Sequence, residues 1–283
     1  MDLFDFDFTN EDNKKSKAIF FDTETTGSAK DDQIIEIGAI VEDIDGNFIK
    51  SFNELCATTN NKLIHPDAMA THGIRNEDLE GKEPFIKSSF YKELESLNIP
   101  SSYFIAHNLP FDLERLKFYG FKPRAKLIDT LQCAKHLFEK GEILGKWEYP
   151  LPNYKLQTFR YILFDKEQEE LEAAKFNIEI TAHSALSDVI ILKMFFKELL
   201  LRVKEKFNLE RKDAFEKLTE LSSKPVLIKE FSFGKYKGKK IEEVLKIDRG
   251  YLEWLYSDMQ KKKSSGESID ENIFDSLRYY LEA

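Results

Sequence analysis

The sequence predicts an α/β domain built on a mixed sheet, followed by a smaller domain of different composition. Three observations lead there. Short apolar runs read as buried strands, first in succession and then in alternation with helices. A turn signal, Asp45-Gly46-Asn47, separates two of these runs as a hairpin would. Beyond Pro225 the chain becomes dense in lysine, glycine and aromatic residues.

In order along the chain, residues 1–16 read as an acidic arm with no apolar core, so no signal peptide is expected. Residues 18–21, Ala-Ile-Phe-Phe, form a strand buried on both faces. Ile34 to Val41 and Phe48 to Cys56 are the hairpin strands. Phe85 to Leu97 has helical spacing, and Tyr103 to Ala106 is another buried strand. Phe111 to Tyr119 is a short helix, opened by Pro110 and closed by Gly120. Helices are expected over Asp129 to Phe138, Leu156 to Phe164 and Leu186 to Leu201. The charged stretch Asp165 to Lys175 reads as a solvated insertion. The organisation expected is an arm over 1–16, a main domain over 17–203, a linker helix within 204–224 and a small α+β domain over 225–283.

Net charge is −9, so overall charge does not draw this chain onto a polyanion. Either nucleic acid is not its partner, or a local site with metal ions supplies the positive charge. Cys56 and Cys133 make no disulfide framework and no CxxC pair, which fits a reducing cytoplasm. No apolar run is long enough to span a membrane.

Chemistry concentrates in a few residues. Side chains two apart on a strand share a face, so Asp22 and Glu24 place two carboxylates together at the end of the first strand. Two such acids repel unless a cation lies between them, and hard oxygen ligands favour Mg²⁺ or Mn²⁺. Asp112 falls in the first turn of a helix, where acids are common for electrostatic reasons. Asp188 lies among Leu186, Val189, Ile190 and Leu192, an apolar setting in which an acid needs a partner or a metal. His183 sits just before that helix, whose dipole favours the neutral ring, and a neutral imidazole can take a proton from water.

Taken together, FFDTETTG at 20–27, AHNLPFD at 106–112 and HSALSD at 183–188 resemble the DEDD superfamily of 3′→5′ exonucleases, in its histidine subtype. ATHGIRNEDL at 70–79 and Ile128-Asp129-Thr130 match intermediate segments of that family. The resemblance covers about 17–203 and implies a ribonuclease H-like fold. It implies two divalent cations, ~4 Å apart, clamping the attacking and leaving oxygens. Asp22 would bridge both. Glu24 and Asp188 would hold the one that activates water, Asp112 would serve the other, and His183 would be the general base. Asp67 and His72 match positions facing the terminal nucleotide. Thr25, Asn108 and Phe111 are further substrate contacts, and Phe111 serves equally well as a core anchor. Ser28 stands where the family often carries an apolar wedge.

FGKYKGKKIEEVLKIDRGYLEWL resembles the small C-terminal domain of exodeoxyribonuclease X-type proteins. Residues 229–263 hold ten basic and six acidic side chains, a net of +4, leaving −13 for the rest of a chain of −9. Lys235, Lys237, Lys239 and Lys240 interleave with aromatic and glycine as phosphate-tracking loops do, or form a solvated face. Tyr251, Trp254 and Leu255 have helical spacing and read as core. The expected activity is release of nucleoside 5′-monophosphates from 3′ ends, single-stranded DNA first. The alternatives are an RNA-trimming enzyme, a polymerase proofreading subunit, or a scaffold of the same fold without activity. Asp2, Leu3 and Phe4 resemble the core of peptides that dock on sliding clamps, against a reading as a disordered start.

Overall fold

The computed structural model describes residues 16–176, 178, 184–265, 267 and 269–282. Asp2, Leu3, Phe4 and His183 therefore lie outside the described residues. The chain divides into two compact units, Met1–Ser222 and Ser223–Ala283.

The first unit is built on a five-stranded sheet of order β3-β2-β1-β4-β5. Its strands are β1 (Lys17–Thr25), β2 (Ile34–Asp43), β3 (Phe48–Leu55), β4 (Tyr103–Ala106) and β5 (Lys126–Asp129). The β1–β2 and β2–β3 pairs are antiparallel, while β1–β4 and β4–β5 are parallel, so the sheet is mixed as the sequence predicts. The helices are α1 (Pro66–His72), α2 (Ser89–Leu97), α3 (Leu109–Phe118), α4 (Thr130–Leu137), α5 (Leu156–Leu163), α6 (Lys166–Ala174), α7 (Ala185–Phe207) and α8 (Arg211–Ser223). A small hairpin, β6 (Ile143–Leu144) and β7 (Tyr149–Pro150), lies between α4 and α5.

The pleat of β1 sorts its side chains into two apolar layers. Ala18 and Phe20 join residues of α4, α5, α7 and α8. Ile19 and Phe21 join residues of α2 and α3. β1 is thus buried on both faces, which is why it reads as an unbroken apolar run.

Several expectations are corrected. α4 begins one residue after a strand, β5, that four residues are too few to reveal by pattern. The stretch 165–175 is the helix α6, not a solvated insertion, because Glu169 and Glu172 are buried and paired with Arg160, Lys175, Lys193 and Lys197. The helix expected as a linker is α8, whose Ala214, Phe215, Leu218 and Leu221 are buried in the first unit's core.

The second unit holds α9 (Ile241–Ile247), α10 (Arg249–Ser264) and α11 (Glu271–Glu282) around their own core of Phe231, Val244, Leu252, Leu277 and neighbours. Among the described residues its β component is an isolated bridge, Glu230 to Lys240. Over Ser223–Ala283 there are twelve basic and eleven acidic residues, so the unit's net charge is only +1 and the lysine excess is local to 229–263. Among the described residues no helix is long and apolar enough to cross a membrane, and Cys56 and Cys133 are buried free thiols.

Candidate active site

The alternation that sorts the core of β1 also sorts the acids at its end. Asp22 and Glu24 follow Ala18 and Phe20 toward α7, and Thr23 follows Phe21 toward α3. Thr23 Oγ1 accordingly donates to Asp112 Oδ1 at 2.6 Å, from the first turn of α3. Asp188 comes from the first turn of α7. Ligand oxygens of Asp22, Glu24 and Asp188 all lie within 4.8 Å of one another.

Two residues of β2 bring α7 into place. Gly38 pairs with Asp22 across the sheet, and a Cβ there would sit 2.4 Å from the Ala185 carbonyl carbon and from Leu186 N. Only glycine permits that approach. Glu36, paired with Glu24, accepts the Ala185 N–H at 3.1 Å, an acid at a helix N-terminus where free amides and the dipole favour it. From α5, Gln157 Nε2 donates to Asp188 Oδ1 at 2.6 Å and fixes that carboxylate's direction.

The strongest influences on the paired acids are burial and negative charge. Burial, then Asp112, Glu24, Asp188 and Glu36, hold the Asp22 carboxyl well above the usual carboxylate range. Burial, then Asp188, Glu36 and Asp112, push Glu24 up to about 8. Burial raises Asp112 to about 7 against the opposing hydrogen bond from Thr23. Carboxylates so placed repel one another, and three converging hard oxygens suit a divalent cation.

Beside the acids opens a cavity of about 510 Å³ lined by Glu24, Thr25, Gly27, Ser28, His65, Asp67, His72 and Phe111, among others. Thr25 Oγ1 donates to the Gly27 carbonyl at 2.7 Å. His72 is buried, and its Nδ1 accepts the Ile74 N–H at 3.0 Å, which leaves the proton of the neutral ring on Nε2. The Arg115 guanidinium lies 3.9 Å from the Phe111 ring centre and donates to the Ala29 carbonyl. Phe111 is therefore both anchored and cavity-facing. Thr26 and the Ala29 N–H both bond to Asp32, pinning the loop that forms the cavity's rim.

The structure thus gathers Asp22, Glu24 and Asp188, sets Asp112 behind Thr23, and lines one cavity with Thr25, Asp67, His72 and Phe111. Asn108 is exposed and does not line that cavity; it takes the left-handed conformation before α3, with φ of 68°, and its N–H donates to Asp129. Lys235, Lys237, Lys239 and Lys240 belong to the second unit and are exposed. Lys235 is committed to Asp248 at 3.0 Å. Sequence reasoning missed Glu36, Gly38, His65 and Gln157. A lone acid inside the apolar strand IIEIGAIV was a signal for Glu36; nothing local marks Gln157.

The sequence model of the exonuclease family matches residues 19–195, and that of the exodeoxyribonuclease X-like C-terminal domain matches residues 231–258. The chain is similar to exodeoxyribonuclease 10 of Escherichia coli (strain K12), 26% identical over 265 residues, spanning 92% of this chain and 97% of that one. It is similar to DNA polymerase III subunit epsilon of Treponema pallidum (strain Nichols), 36% identical over 145 residues, spanning 48% and 62% of the two chains. Among solved structures, E. coli exonuclease I in complex with a dT13 oligonucleotide superposes with a TM-score of 0.52 at 20% identity, over 69% of this chain and 43% of that one. That likeness concerns the fold, the ribonuclease H-like sheet flanked by helices.

Proposed function

The chain belongs to the exonuclease family, and from that premise we propose that it is a metal-dependent 3′→5′ exonuclease that releases nucleoside 5′-monophosphates from DNA. The observation that carries this reading is the convergence of Asp22, Glu24 and Asp188, ligand oxygens within 4.8 Å of one another, beside a cavity of about 510 Å³. Similarity to exodeoxyribonuclease 10 along nearly the whole of both chains favours DNA as substrate.

Asp22, Glu24 and Asp188, with Asp112 behind, would hold divalent cations, Mg²⁺ or Mn²⁺. When bound, these supply positive charge to the reacting phosphate and make bound water more acidic. The chain's own groups do the rest. The cavity takes the terminal nucleotide, with Phe111 offering a flat face to base or sugar and Thr25, Asp67 and His72 flanking it. His183 accepts a proton from the attacking water, its oxygen bonds to phosphorus, and the bond from phosphorus to O3′ breaks. O3′ takes a proton from solvent, and the monophosphate departs, leaving a strand shorter by one nucleotide. Lys237, Lys239 and Lys240 would hold phosphates of the longer strand, with Lys235 held beside them by Asp248.

The test is digestion of matched DNA and RNA oligonucleotides, single- and double-stranded, with Mg²⁺. DNA with a free 3′ end should give monophosphates, and a blocked 3′ end should resist. Asp22→Ala should lower turnover more than ~10²-fold by removing a ligand. Near-normal turnover in Asp22→Ala, or rapid cutting of a closed circle, would overturn the reading.

A further inference from the structure

The second unit carries an aromatic surface that the catalytic site does not use. The sequence places Tyr251, Trp254 and Leu255 on one apolar face of a helix. In the structure the buried stripe of α10 is Leu252, Leu255 and Met259, and Trp254 lies off it, 60% exposed. Its ring is 5.9 Å from that of Tyr251, which in turn meets Phe231 at 5.9 Å. Phe231 meets Phe233 at 5.9 Å, and Phe233 is 41% exposed. Two outer rings are thus backed by a buried one through a continuous ring-to-ring chain.

The adjoining loop is held in shape. Gly238 N–H donates to the Phe231 carbonyl at 2.7 Å, and Phe231 N–H to the Lys239 carbonyl at 3.0 Å. Gly234 and Gly238 take φ of 70° and 81°, which other residues rarely adopt. Asp248 braces the loop by accepting from Tyr236 Oη at 2.6 Å and Lys235 Nζ. Lys237, Lys239 and Lys240 are exposed and enter no ion pair among the described residues.

Exposed aromatic faces lose water on stacking, and every unpaired base offers a π-face; adjacent lysines match the phosphates between bases. We propose that Trp254 and Phe233, with Lys237, Lys239 and Lys240, form a stacking platform for single-stranded nucleic acid. It rests on the exonuclease reading only in identifying the bound strand as substrate.

Binding and cleavage can be read separately in the full chain. Of its two tryptophans, Trp147 is replaced in a Trp147→Phe background, so emission reports Trp254 alone. A poly-dT oligonucleotide, added with chelator so that it stays intact, should quench this emission saturably. By anisotropy of a labelled strand, Trp254→Ala should weaken binding roughly 5- to 100-fold, and Trp254→Tyr should restore most of it. Lys237, Lys239 and Lys240 changed together to Ala should reduce the salt slope by up to about 2. No quenching, equal affinity for blunt duplex, or unchanged binding by Trp254→Ala would overturn the platform. Quenching without any nuclease activity would keep the platform and sink the exonuclease reading. Trimming of a short oligonucleotide without quenching would do the reverse.

Discussion

The helix α7 takes part in two groups of charged side chains, one buried and one half-buried. Near its N-terminus Asp188 meets Asp22 and Glu24. Further along, Lys193 meets Glu42 and Glu172, each at 2.8 Å, and Lys197 and Lys175 add further bonds to Glu172 at 2.7 and 2.8 Å. Burial opposes ionisation of Glu172, yet the hydrogen bonds from Lys175, Lys193 and Lys197 outweigh it and hold its carboxyl at about 2. At the other group burial and like charge act together, and Glu24 rises to about 8. Acids that serve the fold bring their own cations in the chain. The acids at the end of β1 converge on one another instead, with Arg160 of α5 acting on Asp188, and a cluster of like charge is what a cation-binding centre requires.

This contrast can be broken at either end. The largest effect is expected at the paired group. Lys193→Met leaves Glu42 and Glu172 buried without their shared lysine and should cost about 3–5 kcal/mol of stability in denaturant titration, with turnover per folded molecule unchanged. A loss below ~1 kcal/mol would mean that Lys197 and Lys175 suffice and that the two groups differ less than their geometry says.

At the cluster of like charge the sign should reverse. Glu24→Gln removes a repelling charge, so in chelator it should stabilise the protein, by at most a few kcal/mol, since one pKa unit is worth about 1.4 kcal/mol. The pH dependence follows from the raised pKa. A carboxyl at about 8 when folded and 4.5 in the unfolded chain favours the folded state fully below pH 4.5, and that advantage is lost as pH rises through 8. The gain from Glu24→Gln should therefore be small near pH 4.5 and grow toward pH 8. Thermal melts of both proteins across that range check it, and a gain that is flat with pH would contradict it.

A smaller effect belongs to Gln157. Its amide orients Asp188 and is itself approached by Arg160 Nη1 at 3.4 Å, while Arg160 is paired with Glu169. Gln157→Leu should lower cation affinity or turnover about 10- to 100-fold with little change in melting temperature. A change in melting temperature alone would make Gln157 a packing residue.

How much of this was legible in the sequence depends on the range of the interaction. Strand alternation is local, so the pairing of Asp22 with Glu24 could be read from three residues. Asp188 could be read from its apolar neighbours in a helix. Asp165 to Lys175 was misread because Lys193 and Lys197, which neutralise Glu172, are more than twenty residues away. Gln157 reaches Asp188 across 31 positions, and a glutamine on a helix says nothing of where its amide points. Trp254 was misread because helical spacing admits more than one stripe, and only packing against α9 and α11 selects Leu252 and Leu255.

The acids at the end of β1 call for a divalent cation to complete them. Isothermal calorimetry of the protein with Mg²⁺ and with Mn²⁺ at pH 8, before and after Asp22→Ala, tests it most directly. Saturable binding is expected in the parent, accompanied by a rise in melting temperature, with loss of both in Asp22→Ala while Lys193 and Glu172 remain untouched. Binding of equal strength in the parent and in Asp22→Ala, or no binding in the parent, would contradict it.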